Sequence, residues 1–141
     1  MDNKMTLTFL STSENEAFAR NVIASFMLSL NPTISKINEV KTAVSEAVTN
    51  AIVHGYPNKT GEITMSATIL NGVLHIEIKD YGVGIENVDL AIEPFYTTKL
   101  EDERSGMGFT VMKSFMDEVN VSSSVNEGTV VKMQKRILDI A

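Results

Sequence analysis

An aspartate followed by two glycines, in the stretch Asp80-Tyr-Gly-Val-Gly84, is the first feature of the sequence that could do chemistry. An ionised carboxylate only accepts hydrogen bonds, and Gly82 and Gly84 would let a flat ligand lie close to the backbone. Adenine presents an amino group to such a carboxylate, whereas guanine presents a carbonyl oxygen at the same position. The motif predicts an adenine site, although an ordinary turn at the end of a strand explains it as well when it is taken alone.

Two further glycines stand in Arg104-Ser-Gly-Met-Gly108, directly before a segment with helical periodicity. Free N–H groups and the positive end of the helix dipole favour phosphate at such a position, so Gly106 and Gly108 are candidate phosphate contacts. A flexible linker with a helix N-cap is the alternative. The spacing of a P-loop is absent and the glycines do not open a β-α-β unit, which disfavours P-loop and dinucleotide folds.

Two polar residues, Glu46 and Asn50, are four positions apart in a second segment with helical periodicity. They therefore share one face of a helix, at roughly 100–140° from the middle of its apolar stripe, and His54 continues the same line. This places them at the rim of the core, where a cleft can form. Solvated helix surface is the alternative for such a pair.

The elements that must position these residues can be outlined from periodicity. Apolar and polar residues alternate in five predicted strands, over residues 4–12, 62–70, 73–80, 119–125 and 129–137. Helical spacing predicts three helices, over residues 13–30, 34–54 and from about 108. Asn71-Gly72 predicts a hairpin between the second and third strands. The remaining stretch, 84–105, is long for a loop in one domain and is typical of a lid or binding loop.

Details of the helices follow from the same patterns. Ser13 and Glu16 form a predicted capping box at the start of the first helix. Four apolar residues at helical spacing mark the expected inner face of that helix, namely Phe18, Val22, Phe26 and Leu30. The second helix is expected to bury Ile37, Val40, Val44, Ala47, Val48 and Ala51, and to end at Gly55. The third is expected to bury Phe109, Met112, Phe115 and Met116.

Strands in runs beside helices favour an α+β two-layer sandwich, with a largely antiparallel sheet covered on one face by helices. The chain has 141 residues and no composition break, so a single domain over 1–141 is expected. It has no cysteine, no apolar run long enough to span a membrane and no secretory signal pattern, which favours a cytoplasmic protein. A net charge of −6 makes direct contact with nucleic acid or an anionic membrane an unfavourable main activity.

The order of these motifs resembles that of the ATPase superfamily that contains gyrase, the heat-shock chaperone, histidine kinases and mismatch-repair ATPases. Glu-x-x-x-Asn lies on a helix, Asp-x-Gly-x-Gly follows a strand, and a long loop closes on Gly-x-Gly before another helix. The resemblance covers the chain from the second helix to the last strand. It implies a Bergerat-type fold, with ATP and Mg²⁺ as ligands and the long loop as an ATP lid.

The resemblance also implies roles for single residues. Asn50 matches the Mg²⁺ ligand, Asp80 the adenine-reading carboxylate, and Gly82 and Gly84 the base pocket. Thr129, after Gly128, matches a threonine that supports the aspartate, although a plain strand threonine is the alternative. Gly106 and Gly108 match the phosphate-facing end of the lid. Arg104 is a candidate phosphate contact from the lid, with simple surface charge as the alternative.

Glu46 distinguishes this chain from the histidine kinases of the superfamily. Histidine kinases usually carry an amide at this position, whereas a carboxylate can act as general base toward water or toward a serine or threonine hydroxyl. With the stretches SEAVTNAIVHGYP, KDYGVGI, EPFYTTK and ERSGMGF, the chain resembles the bacterial anti-sigma factor kinases, most closely those of the sporulation sigma-F type. The resemblance implies a homodimer that binds and inhibits a sigma factor. It also implies that ATP is used to phosphorylate a serine of a small anti-anti-sigma protein.

The resemblance suggests Arg20, on the first helix, as a candidate contact with these protein partners, with an ordinary surface arginine as the alternative. Three other functions stay open. They are a general-stress anti-sigma kinase with a different sigma partner, a catalytic fragment of a histidine kinase, and a nucleotide-dependent interaction module that transfers no phosphate. Glu46 counts against the histidine kinase.

Overall fold

A single antiparallel sheet is the centre of the computed structural model, which describes residues 2–92 and 107–138. Its strands are β1 (Asn3–Leu10), β2 (Glu62–Leu70), β3 (Val73–Asp80), β4 (Glu118–Ser124) and β5 (Gly128–Arg136). They lie in the order β1-β2-β3-β5-β4, and each neighbouring pair is antiparallel. The predicted bounds of β2 and β3 are confirmed, and those of the other three strands differ by one or two residues.

The hairpin between β2 and β3 is confirmed at Asn71-Gly72. Both residues have positive φ, 51° for Asn71 and 79° for Gly72, which is the conformation that a two-residue hairpin turn of the favoured hand requires. This turn sets a register in which Ile63 is opposite Asp80. Since β3 is the middle strand of the sheet, its last residue, Asp80, is positioned from both sides.

Four helices are described, namely α1 (Ser13–Met27), α2 (Ile34–Asn50), α3 (Val88–Ala91) and α4 (Gly108–Phe115). A short 3₁₀ turn (Leu28–Leu30) follows α1, and a π-helical turn (Ala51–Gly55) continues α2. α2 packs between α1 and α4 and buries the predicted Val40, Val44, Ala47 and Val48. Among the described residues, no helix is long and apolar enough to cross a membrane. The α+β class and its helix layer are confirmed.

The inner face of α1 was predicted wrongly. The residues that α1 buries are Ala19, Ile23 and Met27, whereas Phe18 is 48% exposed. The two sets differ by one position, or about 100° around the helix. Val22 and Phe26 are only partly buried at the edge of the core, and Leu30 alone of the expected set is fully inside. Both stripes have helical spacing, so spacing could not decide which of them faces α2.

The capping box at the start of α1 is also corrected. The N-cap residue is Thr12, in an extended conformation, and Ser13 is already the first helical residue. Glu16 therefore stands too far along the helix to reach back to the cap. Its carboxylate instead lies 3.1 Å from Nε of Arg20, one turn further on. A capping interaction is present on α2, where the Thr33 hydroxyl accepts a hydrogen bond from the Lys36 N–H.

Candidate functional site

A cavity of about 1010 Å³ opens between the end of β3, the end of α2 and the start of α4. Five residues that the sequence singled out line it, namely Asn50, Asp80, Gly84, Gly108 and Thr129. They come from five separate elements or turns, so the fold gathers candidates that are up to 79 positions apart in the chain (129 − 50). The volume is at the upper end of what small-ligand sites usually have, and it suits a ligand of nucleotide size.

Asp80 lies at the closed end of this cavity and is 5% exposed. Burial raises the pKa of its carboxyl group, while backbone hydrogen bonds from Gly82 and Thr129 work in the opposite direction. The Gly82 N–H donates to Oδ1 at 2.9 Å. A carboxylate that is desolvated and only partly satisfied by backbone donors is well suited to accept a further hydrogen bond from a ligand's amino group.

The glycine at position 82 has a different neighbour from the one predicted. A Cβ atom there would lie 1.9 Å from the carbonyl oxygen of Gly55, at the end of the π-helical turn. The Val83 N–H also donates to that oxygen, at 2.9 Å. Gly55 in turn packs on Asp80, because a Cβ at Gly55 would lie 2.9 Å from the carboxyl carbon. Gly82 therefore allows the turn to pack on the helix end, and it is not among the described residues that line the cavity.

Gly84, in contrast, lines the cavity and needs its glycine for backbone reasons. Its φ is +77°, and a Cβ would lie 2.1 Å from the carbonyl oxygen of Ser124. The adjacent Val83 carbonyl accepts a hydrogen bond from the Asn126 N–H at 2.7 Å. The turn after β3 is thus packed against the β4–β5 hairpin on one side and against the end of α2 on the other.

Glu46, Asn50 and Gly108 come together where α2 meets α4. A Cβ placed on Gly108 would lie 3.0 Å from Nδ2 of Asn50 and 3.3 Å from Oε2 of Glu46. Glycine at the start of α4 leaves room for these two side chains, which the predicted one-turn spacing places on the same face. The first N–H groups of α4 have no acceptor within their own helix, so they form a donor-rich end next to a carboxylate and an amide.

A contact between Thr129 and Ser123 connects the lining of the cavity to the edge strand β4. The Thr129 hydroxyl lies 2.8 Å from the Ser123 hydroxyl, and Thr129 is paired with Asp80 across β5 and β3. Thr129 is buried. The strand register places Thr129 next to Asp80, and a hydrogen bond with Ser123 connects the Thr129 hydroxyl to β4.

Sequence reasoning missed most of the apolar wall of the cavity. Its apolar members include Ile78, Ile85, Leu90, Phe109, Val125 and Val131. Ile78 and Val131 are direct cross-strand neighbours on the helix-facing side of the sheet. The alternation that predicted β3 and β5 could have found them, because residues of one parity next to Asp80 must share its side of the sheet. For Gly55 and His54, which belong to the π-helical turn, the sequence predicts only the end and the rim of a helix.

Arg104 and Gly106 lie outside the described residues, as does most of the predicted lid. Of the segment predicted as a loop, the structure describes a short helix, α3, whose N-cap Asn87 accepts a hydrogen bond from the Leu90 N–H. Arg20 is on α1, partly exposed and paired with Glu16, and it is remote in sequence from the cavity residues. The structure therefore brings together most of the nucleotide candidates that it describes and leaves the partner candidate on another element.

The residues present fit a nucleotide. The cavity joins a buried carboxylate with apolar neighbours at one end to a helix N-terminus at the other, which are the two environments that adenine and phosphate require. Within residues 2–92 and 107–138, no cluster of three acidic or histidine side chains could hold a metal by itself. A Mg²⁺ ion at Asn50 would therefore share its ligands with phosphate oxygens and water, as Mg²⁺ in nucleotide sites commonly does.

Comparison with known proteins agrees with this geometry. The histidine kinase-like ATPase domain matches residues 9–135, which is nearly the whole chain. The chain belongs to the histidine kinase-like ATPase family. This membership implies that the chain uses ATP.

Relatives within the family are similar over almost their whole length. A protein named anti-sigma F factor from Caldanaerobacter subterraneus subsp. tengcongensis is 56% identical over 136 residues, 96% of this chain and 95% of that protein. One of the same name from Geobacillus thermodenitrificans is 54% identical over 138 residues, 97% of this chain and 94% of that protein. The expected resemblance to the anti-sigma-F group of these ATPases is confirmed.

Solved structures support the fold. A crystal structure of the RsbU and RsbW domains of a Mycobacterium tuberculosis protein matches with a TM-score of 0.70 and 17% identity, covering 99% of this chain and 34% of that one. The catalytic domain of the histidine kinase ThkA matches with a TM-score of 0.58 and 14% identity, over 95% of this chain and 97% of that one. At such identities the likeness shows that the histidine kinase-like ATPase fold is shared.

Proposed function

We propose that this chain is an anti-sigma factor of the sigma-F type that also acts as a protein serine kinase. In this proposal it binds and inhibits an RNA polymerase sigma factor, and it uses ATP to phosphorylate a serine of its anti-anti-sigma antagonist. The observation that carries the kinase is the contact of Gly108 with Glu46 and Asn50, which puts a carboxylate beside the phosphate end of the cavity. The names of the relatives support the sigma-factor partner.

The adenine base is assigned to the closed end of the cavity. Asp80 accepts a hydrogen bond from the exocyclic amino group, and Ile78 and Val131 cover the base with apolar surface. Guanine would bring a carbonyl oxygen to the buried carboxylate, and two acceptors facing one another without water cost free energy. Thr129 supports this end through its position beside Asp80, and Gly84 forms part of the wall.

The phosphates are assigned to the start of α4, where Gly108 lies. The N–H groups of the first helical turn have no acceptor within their own helix, and Asn50 is the side chain that would hold Mg²⁺ there. Bound Mg²⁺ supplies positive charge that neutralises the phosphate oxygens. Gly106 and Arg104 complete the phosphate contacts in this proposal, as parts of the lid that precedes α4 in the sequence.

Glu46 is assigned the role of general base. Its carboxylate takes the proton from the serine hydroxyl of the antagonist as the serine oxygen forms a bond to the γ-phosphorus. The bond from that phosphorus to the bridging oxygen of the β-phosphate breaks, and ADP leaves with the electron pair. A carboxylate suits this step because a hydroxyl must lose its proton during the transfer, whereas an imidazole acceptor has no such need.

The partner-binding side of the proposal concerns α1. Arg20 is a candidate contact, since its side chain is partly exposed and Glu16 is its one ion-pair partner among the residues that the structure describes. The chain carries a net charge of −6, which is compatible with a basic sigma-factor segment as partner. A homodimer, a cytoplasmic location and a single domain over 1–141 are further parts of the proposal, together with an absence of direct nucleic-acid contact.

One incubation separates the proposal from its rivals. The chain is mixed with Mg²⁺, ATP labelled on the γ-phosphate and the anti-anti-sigma protein of the same cell. Acid-stable label on a serine of that protein is the expected result. Label on a histidine would indicate a histidine kinase, and no label with any candidate, despite ATP binding, would indicate an interaction module. A general-stress kinase would label a different antagonist and would capture a different sigma factor when the two are tested side by side.

A further inference from the structure

The turn after β3 is held by two side-chain hydroxyl groups to which neither the resemblance nor the proposed mechanism assigns a role. We infer that Tyr56 and Ser123 are positioning residues for nucleotide binding, which hold the backbone from Tyr81 to Ile85 in place and thereby set the affinity for adenine. The inference rests on the proposed function insofar as adenine binds at Asp80. It concerns affinity alone, and the transfer step belongs to the other end of the cavity.

Tyr56 holds the start of the turn. Its hydroxyl accepts a hydrogen bond from the Tyr81 N–H at 2.7 Å and donates to the Glu62 carbonyl at 2.6 Å. Burial raises the pKa of the phenol, so the proton that the second hydrogen bond needs is retained. The ring is 6% exposed and packs so closely on Gly61 that a Cβ there would lie 2.3 Å from it. The hydroxyl is thus fixed by β2 and in turn fixes the residue that follows Asp80.

Ser123 holds the other end of the turn. Its Oγ accepts a hydrogen bond from the Ile85 N–H at 2.7 Å and donates to the Gly128 carbonyl at 2.9 Å. The Thr129 hydroxyl lies 2.8 Å from the same oxygen. With its hydrogen directed at Gly128, Ser123 uses both lone pairs, one for Ile85 and one for Thr129. One hydroxyl therefore connects a residue of the cavity wall, Ile85, to the threonine beside Asp80.

The other described hydrogen bonds that the turn donates go to the proposed adenine-binding carboxylate or to backbone. The Gly82 N–H donates to the side chain of Asp80, and the Val83 N–H donates to the carbonyl oxygen of Gly55. Among the described donors from Tyr81 to Ile85, the first and the last are the ones whose acceptors, Tyr56 and Ser123, are side-chain hydroxyl groups with no proposed contact to the base. Removing either hydroxyl leaves an N–H without its acceptor and lets one flank of the adenine pocket move.

Substitutions of these hydroxyls are expected to weaken ATP binding without slowing transfer. Tyr56→Phe and Ser123→Ala each remove one acceptor and are expected to raise the Kd for ATP about tenfold, the effect of roughly one lost hydrogen bond. Ser123→Thr keeps the hydroxyl at a strand position that accepts a β-branched residue, so it should restore wild-type affinity. Ser122→Ala, the neighbouring exposed serine of β4, makes the same chemical change away from the turn and is the matched control.

The test is calorimetric titration of the full chain and its variants with ATP and Mg²⁺, followed by transfer kinetics at varied ATP and a thermal unfolding curve for each variant. The expected result is a raised Kd and a raised KM for Tyr56→Phe and Ser123→Ala. Ser123→Thr and Ser122→Ala should match the wild type, and kcat at saturating ATP should be unchanged throughout. If Tyr56→Phe does not fold, the three serine variants decide alone.

Three results would overturn the inference. They are wild-type affinity in Ser123→Ala, a loss in Ser123→Thr as large as that in Ser123→Ala, and a fall in kcat at saturating ATP in place of a rise in KM. A wild-type chain that binds no ATP would overturn the proposed function itself. That outcome is visible in the first titration, before any variant is compared, so the two failures are distinguishable.

Discussion

The two ends of the cavity are built from different kinds of contact. At one end, around Asp80 and called the closed end here, the contacts are made with backbone atoms. A Cβ on Gly82 would lie 1.9 Å from a backbone carbonyl oxygen, and the Asp80 carboxylate accepts a hydrogen bond from a backbone N–H at 2.9 Å. At the other end, around Gly108 and called the open end below, a Cβ on Gly108 would lie 3.0 Å from the end of the Asn50 side chain and 3.3 Å from that of Glu46. The fold itself therefore shapes the base pocket, whereas the reacting end depends on which side chains α2 presents to α4.

The difference implies that binding and transfer can be altered separately. Changes at the open end should affect transfer while ATP still binds, and changes at the closed end should affect affinity or stability first. Four substitutions and one pH titration could each contradict that separation.

Glu46→Gln is expected to have the largest effect. It keeps the shape of the side chain but removes the proton acceptor, so phosphate transfer to the antagonist should fall by about 10²–10⁴-fold. The Kd for ATP should stay unchanged, because Glu46 is assigned no contact with the nucleotide. Single-turnover transfer and titration with ATP measure the two quantities. Unaltered transfer would remove Glu46 from the role of base, and lost ATP binding would show that the two ends are not separable.

Asp80→Asn tests the closed end in the same way. The amide can donate where the carboxylate only accepts, so affinity for ATP should fall by roughly 10–100-fold, the cost of mismatching a buried hydrogen bond. The preference for ATP over GTP should narrow, because an amide N–H can pair with the guanine carbonyl. Competition titrations with both nucleotides give the ratio. An unchanged ATP:GTP ratio would mean that the base lies elsewhere in the cavity.

Gly82→Ala should primarily affect the fold. The new Cβ meets a backbone oxygen of Gly55, which cannot move without disturbing the π-helical turn, so a loss of about 1–3 kcal/mol in the free energy of unfolding is expected. Denaturant unfolding with and without ATP measures this loss. Wild-type stability in Gly82→Ala would show that the helix end gives way easily and that the closed end is less rigid than its contacts indicate.

Gly108→Ala is the matched change at the open end. Here the new Cβ meets only the ends of the Asn50 and Glu46 side chains, which can rotate away. Stability should change little, while transfer should fall about tenfold because the reacting groups are displaced. The same unfolding and transfer measurements apply. If Gly108→Ala were as destabilising as Gly82→Ala, the contrast between the two ends would be lost.

The sequence predicted the parts of this site that are local. The hairpin at Asn71-Gly72 and the bounds of β3 follow from neighbours in the chain, and together they place Asp80 at a strand end. Glu46 and Asn50 share a face because a helix repeats every 3.6 residues. Spacing could not decide which face of α1 is turned toward the core. Two stripes of apolar residues on α1 have helical spacing, and the stripe that contains Ala19 is the buried one.

The contacts that hold the turn were beyond reach of such reasoning. Tyr56 and Tyr81 are 25 positions apart, and Ile85 and Ser123 are 38 apart. No periodicity links them, and each serine or tyrosine alone is an ordinary strand or turn residue. The packing of Gly82 on Gly55 could not be predicted for the same reason, because Gly55 belongs to a π-helical turn that no local sequence pattern indicates.

The smallest effect concerns the pH dependence of stability. Burial raises the folded-state pKa of Asp80 above its ordinary value of 3.8, so the folded chain holds this proton more tightly than the unfolded chain does. The stabilising contribution is present below pH 3.8 and is lost as the pH rises from there through the raised folded-state pKa.

Asp80→Asn has no such proton. The free energy of unfolding of the wild type, minus that of Asp80→Asn, should therefore decrease across this window and be level above it. Other carboxylates cancel in the difference, which denaturant titrations at several pH values would measure. A difference that increased with pH would mean that hydrogen bonds from Gly82 and Thr129 outweigh burial, and that the closed end is arranged to favour the charged carboxylate even before adenine binds.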